Sequence, residues 1–132
     1  MNQSSQKTAV LGICSERFEM IEVPLHPGIT IIGRKPHLYP SSAAEVSRKH
    51  LTLCHDADIS RVHLKIVYLP DLNKLTLEDL NSLNGTYING ARIEDTTQID
   101  ADTRIEIGRT SIIFLVDPAV TPLKGQQGGQ SE

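Results

Sequence analysis

Residues 59–93 read ISRVHLKIVYLPDLNKLTLEDLNSLNGTYINGARI, and this stretch decides the fold class. HLKIVYL (63–69) and KLTLEDL (74–80) are short apolar runs of strand length, separated by Pro70-Asp71-Leu72-Asn73, a cluster of turn formers. TYI (86–88) and ARI (91–93) are separated by Asn89-Gly90, the strongest two-residue hairpin signal, because both residues tolerate the positive φ of a type I′ turn. Neither half carries apolar residues at a sustained helical spacing.

The pattern extends outward in both directions. Further strands are expected at 8–14 (TAVLGIC), 18–25 (FEMIEVPL), 29–33 (ITIIG) and 50–54 (HLTLC), then at 97–99 (TQI), 104–108 (RIEIG) and 111–116 (SIIFLV). Many short strands with tight connections predict an all-β antiparallel sandwich of about eleven strands. With 132 residues the chain suits one domain, read as 8–116. Residues 1–7 are polar and expected to be flexible, and 117–132 runs out through PLKGQQGGQSE as a disordered tail or linker.

Composition narrows the function classes. A formal net charge of -3 gives no basic stripe for direct nucleic-acid binding. No apolar run reaches membrane-helix length and MNQSSQKT lacks a signal core, so a soluble intracellular protein, nuclear or cytoplasmic, is expected. Cys14 and Cys54 read as half-buried thiols in strands rather than a disulfide framework. His50, Cys54 and His55 have no closed zinc-site spacing, so no metal or other cofactor is expected. The kinase-favoured dipeptides Ser5-Gln6 and Thr97-Gln98 are of a kind that arises by chance.

Three segments at strand ends carry the chemistry: Gly33-Arg34, Ser60-Arg61-Val62-His63 and Asn81-Ser82-Leu83-Asn84-Gly85-Thr86. Arginine offers a planar fork of donors that grips two oxygens of an oxyanion. A serine hydroxyl and an asparagine amide add neutral donors, and glycines let backbone N–H groups approach. No nucleophile stands beside a base, so the constellation points to phosphate recognition rather than catalysis. Gly108-Arg109 reads as an ordinary strand end.

In that order within an all-β chain, GR, SRVH and NSLNGTYING resemble the forkhead-associated (FHA) domain family over residues 8–116. The resemblance implies an eleven-stranded sandwich that binds phosphothreonine peptides through loops at one end. It assigns phosphate contact to Arg34 and Ser60, phosphate or peptide backbone to Arg61, and the peptide main chain to Asn84. Gly33, His63, Gly85, Thr86 and Asn89 would brace the loops. The implied partner is a phosphothreonine-containing protein or peptide, preferred over phosphoserine because the γ-methyl fills a small pocket.

The chain departs from the family pattern in three places. VSRKHLTL (46–53) echoes ISRVHLKI (59–66), so Ser47 competes with Ser60 as the motif serine. The interval to Arg34 favours Ser47 and the interval to Asn84 favours Ser60. The local order of strand, acidic loop, motif and strand selects Ser60, which leaves 35–49 (KPHLYPSSAAEVSRK) as an inserted polar loop. Leu83 stands where family binders often carry Ser or Thr, so one donor is missing. Asp58 stands two residues before Ser60, where members that select an acidic residue three positions after the phosphothreonine carry a basic one. An acidic ligand residue is therefore expected to be disfavoured there, unless Arg48 or Lys49 intervenes. Two other readings fit the sequence: a regulatory FHA domain of a larger protein such as a kinase, and a phosphate-independent assembly domain.

Overall fold

The computed structural model describes residues 7–40 and 48–122. Ser47, the polar leader 1–6 and the end of the tail (123–132) lie outside the described residues. Among the described residues eleven strands form: β1 (Ala9–Ser15), β2 (Phe18–Leu25), β3 (Gly28–Gly33), β4 (Arg48–Thr52), β5 (Leu64–Leu69), β6 (Lys74–Asp79), β7 (Thr86–Ile88), β8 (Ala91–Arg92), β9 (Thr97–Gln98), β10 (Ile105–Ile107) and β11 (Thr110–Val116). They make a six-stranded sheet in the order β2-β1-β11-β10-β7-β8 and a five-stranded sheet in the order β4-β3-β5-β6-β9.

The alternation read from the sequence sets which faces meet. Leu64, Ile66 and Tyr68 of β5 are fully buried, while Lys65, Val67 and Leu69 between them are half-buried. Antiparallel pairing places Leu77 opposite Ile66 and Leu75 opposite Tyr68, so β6 continues the same inner face. Leu11 and Ile13 of β1 and Ile105, Ile107 and Ile112 of the other sheet close the core against them. Burying each such aliphatic side chain is worth about 1.5–3 kcal/mol, and a one-residue slip would turn the whole set to solvent, so register is firmly specified.

The turns follow their chemistry. Asn89 and Gly90 sit at φ 50° and 90°, the pair of positive values that a two-residue type I′ turn requires. The Pro70 segment forms a single 3-10 turn (Pro70–Leu72), closed by Asn73 in the left-handed conformation.

The expected sandwich forms, with one refinement and one correction. One pair runs parallel, β4 with β3, with Ile29 opposite Arg48 and Gly33 opposite Thr52. The insertion after Arg34 carries the chain back to the start of β3, so the next strand runs the same way, and part of the expected polar loop becomes strand. Cys54 is exposed just beyond β4, and only Cys14 is a half-buried strand thiol. Among the described residues no helix is long and apolar enough to cross a membrane.

At the end of the sandwich away from the Gly33 and Ser60 loops, Tyr68 gathers both terminal segments. Its buried hydroxyl donates to the Lys7 carbonyl at 2.5 Å and accepts from Ala119 N at 2.7 Å. Asn73 Oδ1 accepts from Thr121 N at 2.7 Å beside it. Tyr68→Phe should leave both backbone groups without this partner and lower stability by about 1–2 kcal/mol. Denaturant titration reads the loss, and amide exchange should show it concentrated at residues 7–10 and 116–121.

Candidate functional site

The ends of β3, β6 and β10 and the starts of β5, β7 and β11 share one end of the sandwich, where three connections meet. The first is stitched to the second by backbone bonds: Arg34 N donates to the Ser60 carbonyl at 3.0 Å, Lys35 N to Arg61 at 2.8 Å, and His63 N to Ile32 at 2.9 Å. Gly33 permits this closeness, since a Cβ there would lie 2.2 Å from the Arg61 carbonyl oxygen. Any side chain would force the two segments apart.

His63 is completely buried and ties the second connection to the third. Its Nδ1 accepts from Ser60 N at 3.0 Å, which fixes the proton on Nε2, and Nε2 donates to the Gly85 carbonyl at 2.9 Å. Burial pushes the His63 ring below the ordinary histidine value, although the Gly85 carbonyl and the Asp79 and Asp56 charges pull the other way. Asp79 Oδ1 lies 3.9 Å from Nε2, but with the ring neutral this is not an ion pair.

Two carboxylates that sequence reasoning passed over organise the loops. Asp79 accepts from Ser82 Oγ and Thr86 Oγ1, both at 2.6 Å, and from Ser82 N at 3.1 Å; Ser82 Oγ in turn accepts from Gly85 N at 2.9 Å. Asp56 accepts from Asp58 N at 3.0 Å, Arg109 N at 2.7 Å and Thr110 Oγ1 at 2.8 Å, pinning the second connection to the β10–β11 turn. Burial alone would raise both carboxyls, but these hydrogen bonds outweigh it and hold both below the usual carboxylate value. For Asp79 a local signal was available in the sequence, a Ser three residues on whose backbone and side chain can bond the carboxylate.

Held this way, the predicted ligand residues keep donors to spare. Among the described residues Arg34 spends only Nε, on the Ile59 carbonyl, which leaves its two terminal amino groups. Ser60 Oγ accepts from Leu83 N at 2.9 Å, so its own hydrogen is still available. The Arg61 side chain is exposed and makes no hydrogen bond among the described residues. Arg34, Ser60 and Arg61 line one open groove of about 490 Å³ together with Leu38, Val62, Asn81 and Leu83. The exposed Asn84 stands beside it, its Nδ2 donating to the Asp58 carbonyl at 3.0 Å.

Of the expected braces, Gly33, His63, Gly85 and Thr86 lie at the loops. Asn89 does not: it sits in the hairpin turn at the other end of β7, where its Oδ1 accepts from Arg104 N at 2.8 Å. Its own N–H also donates to the Arg104 carbonyl at 2.9 Å, so it ties the hairpin turn to the start of β10, away from the binding loops. The two motif copies also part company. His50 is exposed on the edge strand β4, whereas His63 is buried beneath the groove. Among the described residues no group of three or more His, Cys, Asp or Glu side chains could hold a metal.

The family model for the FHA domain matches residues 30–108, which contain Arg34, Ser60, Arg61, His63 and Asn84. The chain belongs to the FHA domain family. No curated protein matches it in sequence. Among solved structures, the FHA domain of the CT664 protein from Chlamydia trachomatis is 26% identical, with a TM-score of 0.64 over 81% of this chain and 95% of that one. An FHA domain from a study of phosphothreonine-dependent FHA domain interactions is 28% identical, with a TM-score of 0.59 over 83% of this chain and 98% of that one. The FhaA FHA domain, complexed with the intracellular domain of Rv3910, is 28% identical, with a TM-score of 0.58 over 79% and 98%. In this FHA domain, then, the spare donors belong to the loops that the family matches, on a shared sandwich.

The buried imidazole makes the loops sensitive to acid. Because the folded pKa of His63 lies below its unfolded value of 6.5, the unfolded chain binds the proton first as pH falls. Its contribution is complete above 6.5 and is lost below that value toward the folded pKa; Asp56 and Asp79, with lowered pKa values, add a second loss only below 3.8. His63→Ala should cost about 1–3 kcal/mol by stranding Ser60 N and the Gly85 carbonyl. It should also flatten the upper step in denaturation midpoint against pH, whereas His50→Ala should keep most of it.

Proposed function

We propose that this FHA domain is an interaction module that binds a phosphothreonine-containing segment of a partner protein, without turnover. Arg34, Ser60 and Arg61 hold the phosphate and Asn84 holds the peptide main chain. The observation that carries the reading is the set of unspent donors in one groove: the two terminal amino groups of Arg34, the Ser60 hydroxyl hydrogen and the Arg61 guanidinium. A phosphothreonine supplies roughly two negative charges and three acceptor oxygens, which matches a cationic fork beside a hydroxyl donor. Leu38, Val62 and Leu83 add apolar surface in the same groove, against which a threonine methyl can pack. The structures of FHA domains with phosphothreonine-dependent interactions support this assignment at the level of the family.

The test is an oriented phosphothreonine peptide library, followed by titration of the best ligand. Arg34→Ala should weaken that ligand by about 2–4 kcal/mol, on the scale of a binding hot spot, with the fold intact. Phosphopeptide affinity close to wild type in this variant would remove Arg34 from the site. The same ligand decides between the two motif copies. Ser60→Ala should lose about 1.5–3 kcal/mol, the worth of a hydrogen bond to a charged group, while Ser47→Ala should lose almost nothing. Weakening by the Ser47 change alone would move the phosphate contact to the first copy.

A further inference from the structure

The turn between β10 and β11 reads in the sequence as an ordinary strand end, yet the fold carries it to the rim of the binding loops. Asp56 takes Arg109 N and Thr110 Oγ1 on one carboxylate oxygen, Oδ2. Gly108 lies so close beneath, at φ 57°, that a Cβ would meet that oxygen at 2.8 Å. The turn is thereby fixed, and the exposed Arg109 side chain projects beside Asp58, its Nε 3.4 Å from Asp58 Oδ2. Asp58 is also the residue whose carbonyl receives Asn84 Nδ2. The guanidinium thus stands one residue away from the group assigned to the peptide main chain.

We propose that Arg109 is a specificity-determining residue that selects an acidic side chain in the ligand outside the phosphothreonine. This rests on the phosphothreonine reading above and names the chemical class of the flanking sequence. Asp58, whose carbonyl holds Asn84, also lines a second hollow of about 350 Å³, together with Arg17, His55 and Arg109 among others. A peptide passing from the phosphate groove over Asn84 reaches it directly.

The charges in this hollow do not act equally. Asp56 is 6% exposed and shielded by its three donors, so it presents little charge to a ligand. Asp58 is countered by Arg109 through Nε, and among the described residues the two terminal amino groups make no hydrogen bond, so they can grip a second carboxylate. Arg17, whose side chain makes no hydrogen bond or ion pair among the described residues, adds a second cation against Glu16. The distribution is also uneven over the whole molecule. Arg17, Arg34, Arg61, Arg92 and Arg109 crowd this end of a chain whose net charge is -3, with the Arg92 side chain folded over Gly85. Asp58 taken alone predicts that an acidic residue is repelled; its pairing with Arg109 reverses that prediction.

The best phosphothreonine peptide is resynthesised with Asp, Asn or Lys at each of the four residues on either side, and every version is titrated against three proteins. Wild type should prefer Asp to Lys at one flanking position by roughly three- to fivefold, the scale of an exposed charge pair. Arg109→Gln, which keeps the backbone bond to Asp56, should bring that ratio close to one while binding the Asn peptide as wild type does. Asp58→Asn, which releases Arg109, should raise the ratio. An unchanged Asp-to-Lys ratio in Arg109→Gln, or a wild-type preference for Lys, overturns the assignment while phosphate dependence stands. Binding that does not depend on the phosphate, or that survives Arg34→Ala, overturns the underlying reading and this inference with it.

Discussion

The binding end of this protein depends on one neutral imidazole. His63 accepts from Ser60 N on one edge and donates to the Gly85 carbonyl on the other, so a single rigid ring sets the spacing between two connections. Neither connection has regular structure to hold it. A charged ring could not do the same work, because its second N–H would face the Ser60 N–H. Burial makes the neutral form the stable one, and the hydrophobic core directly beneath supplies that burial. Core packing, ring tautomer and loop geometry are therefore one linked constraint.

Around that ring the polar groups divide into those that are spent and those that are kept. Asp56 and Asp79 use their oxygens on loop donors and stay out of the ligand's way. Arg34 and Ser60 are each half used: one bond orients the side chain, and the remaining donors face the groove. Orientation by one bond lowers the entropy a ligand must overcome when it recruits the others. It also explains how Leu83 is accommodated where a further hydroxyl would be expected: its backbone N–H positions Ser60, and its side chain becomes part of the groove wall.

Much of this was legible in the sequence. All eleven strands were anticipated, because period-two alternation and turn chemistry are local signals that burial then enforces. Arg34, Ser60 and Arg61 were found as motifs and do meet in one groove, with Asn84 at its side. What escaped reading depends on contacts between residues far apart in the chain. Asp56 looks like one of several acids in CHDAD until the β10–β11 turn folds onto it, and Arg109 looks like a strand end for the same reason. The parallel placement of β4 escaped because direction within a sheet follows from where an insertion delivers the chain, which no local pattern encodes. Asn89 braces the start of β10 through Arg104 rather than the binding loops, a partner that lies 15 residues away in the chain.

The clasp at Tyr68 has a mechanical consequence. Lys7 and Ala119 meet on one hydroxyl, and β1 and β11, the first and last strands, lie side by side with Val10 opposite Val116. Tension applied through the two ends of the chain would load that hydroxyl and the neighbouring Asn73–Thr121 bond before peeling β1 from β11 one rung at a time, in the manner of a zipper. Ladders opened in sequence resist far less force than ladders sheared all at once. Peeling would begin at the pole remote from the ligand, so the loops joined by His63 would keep their shape through the early stages of extension.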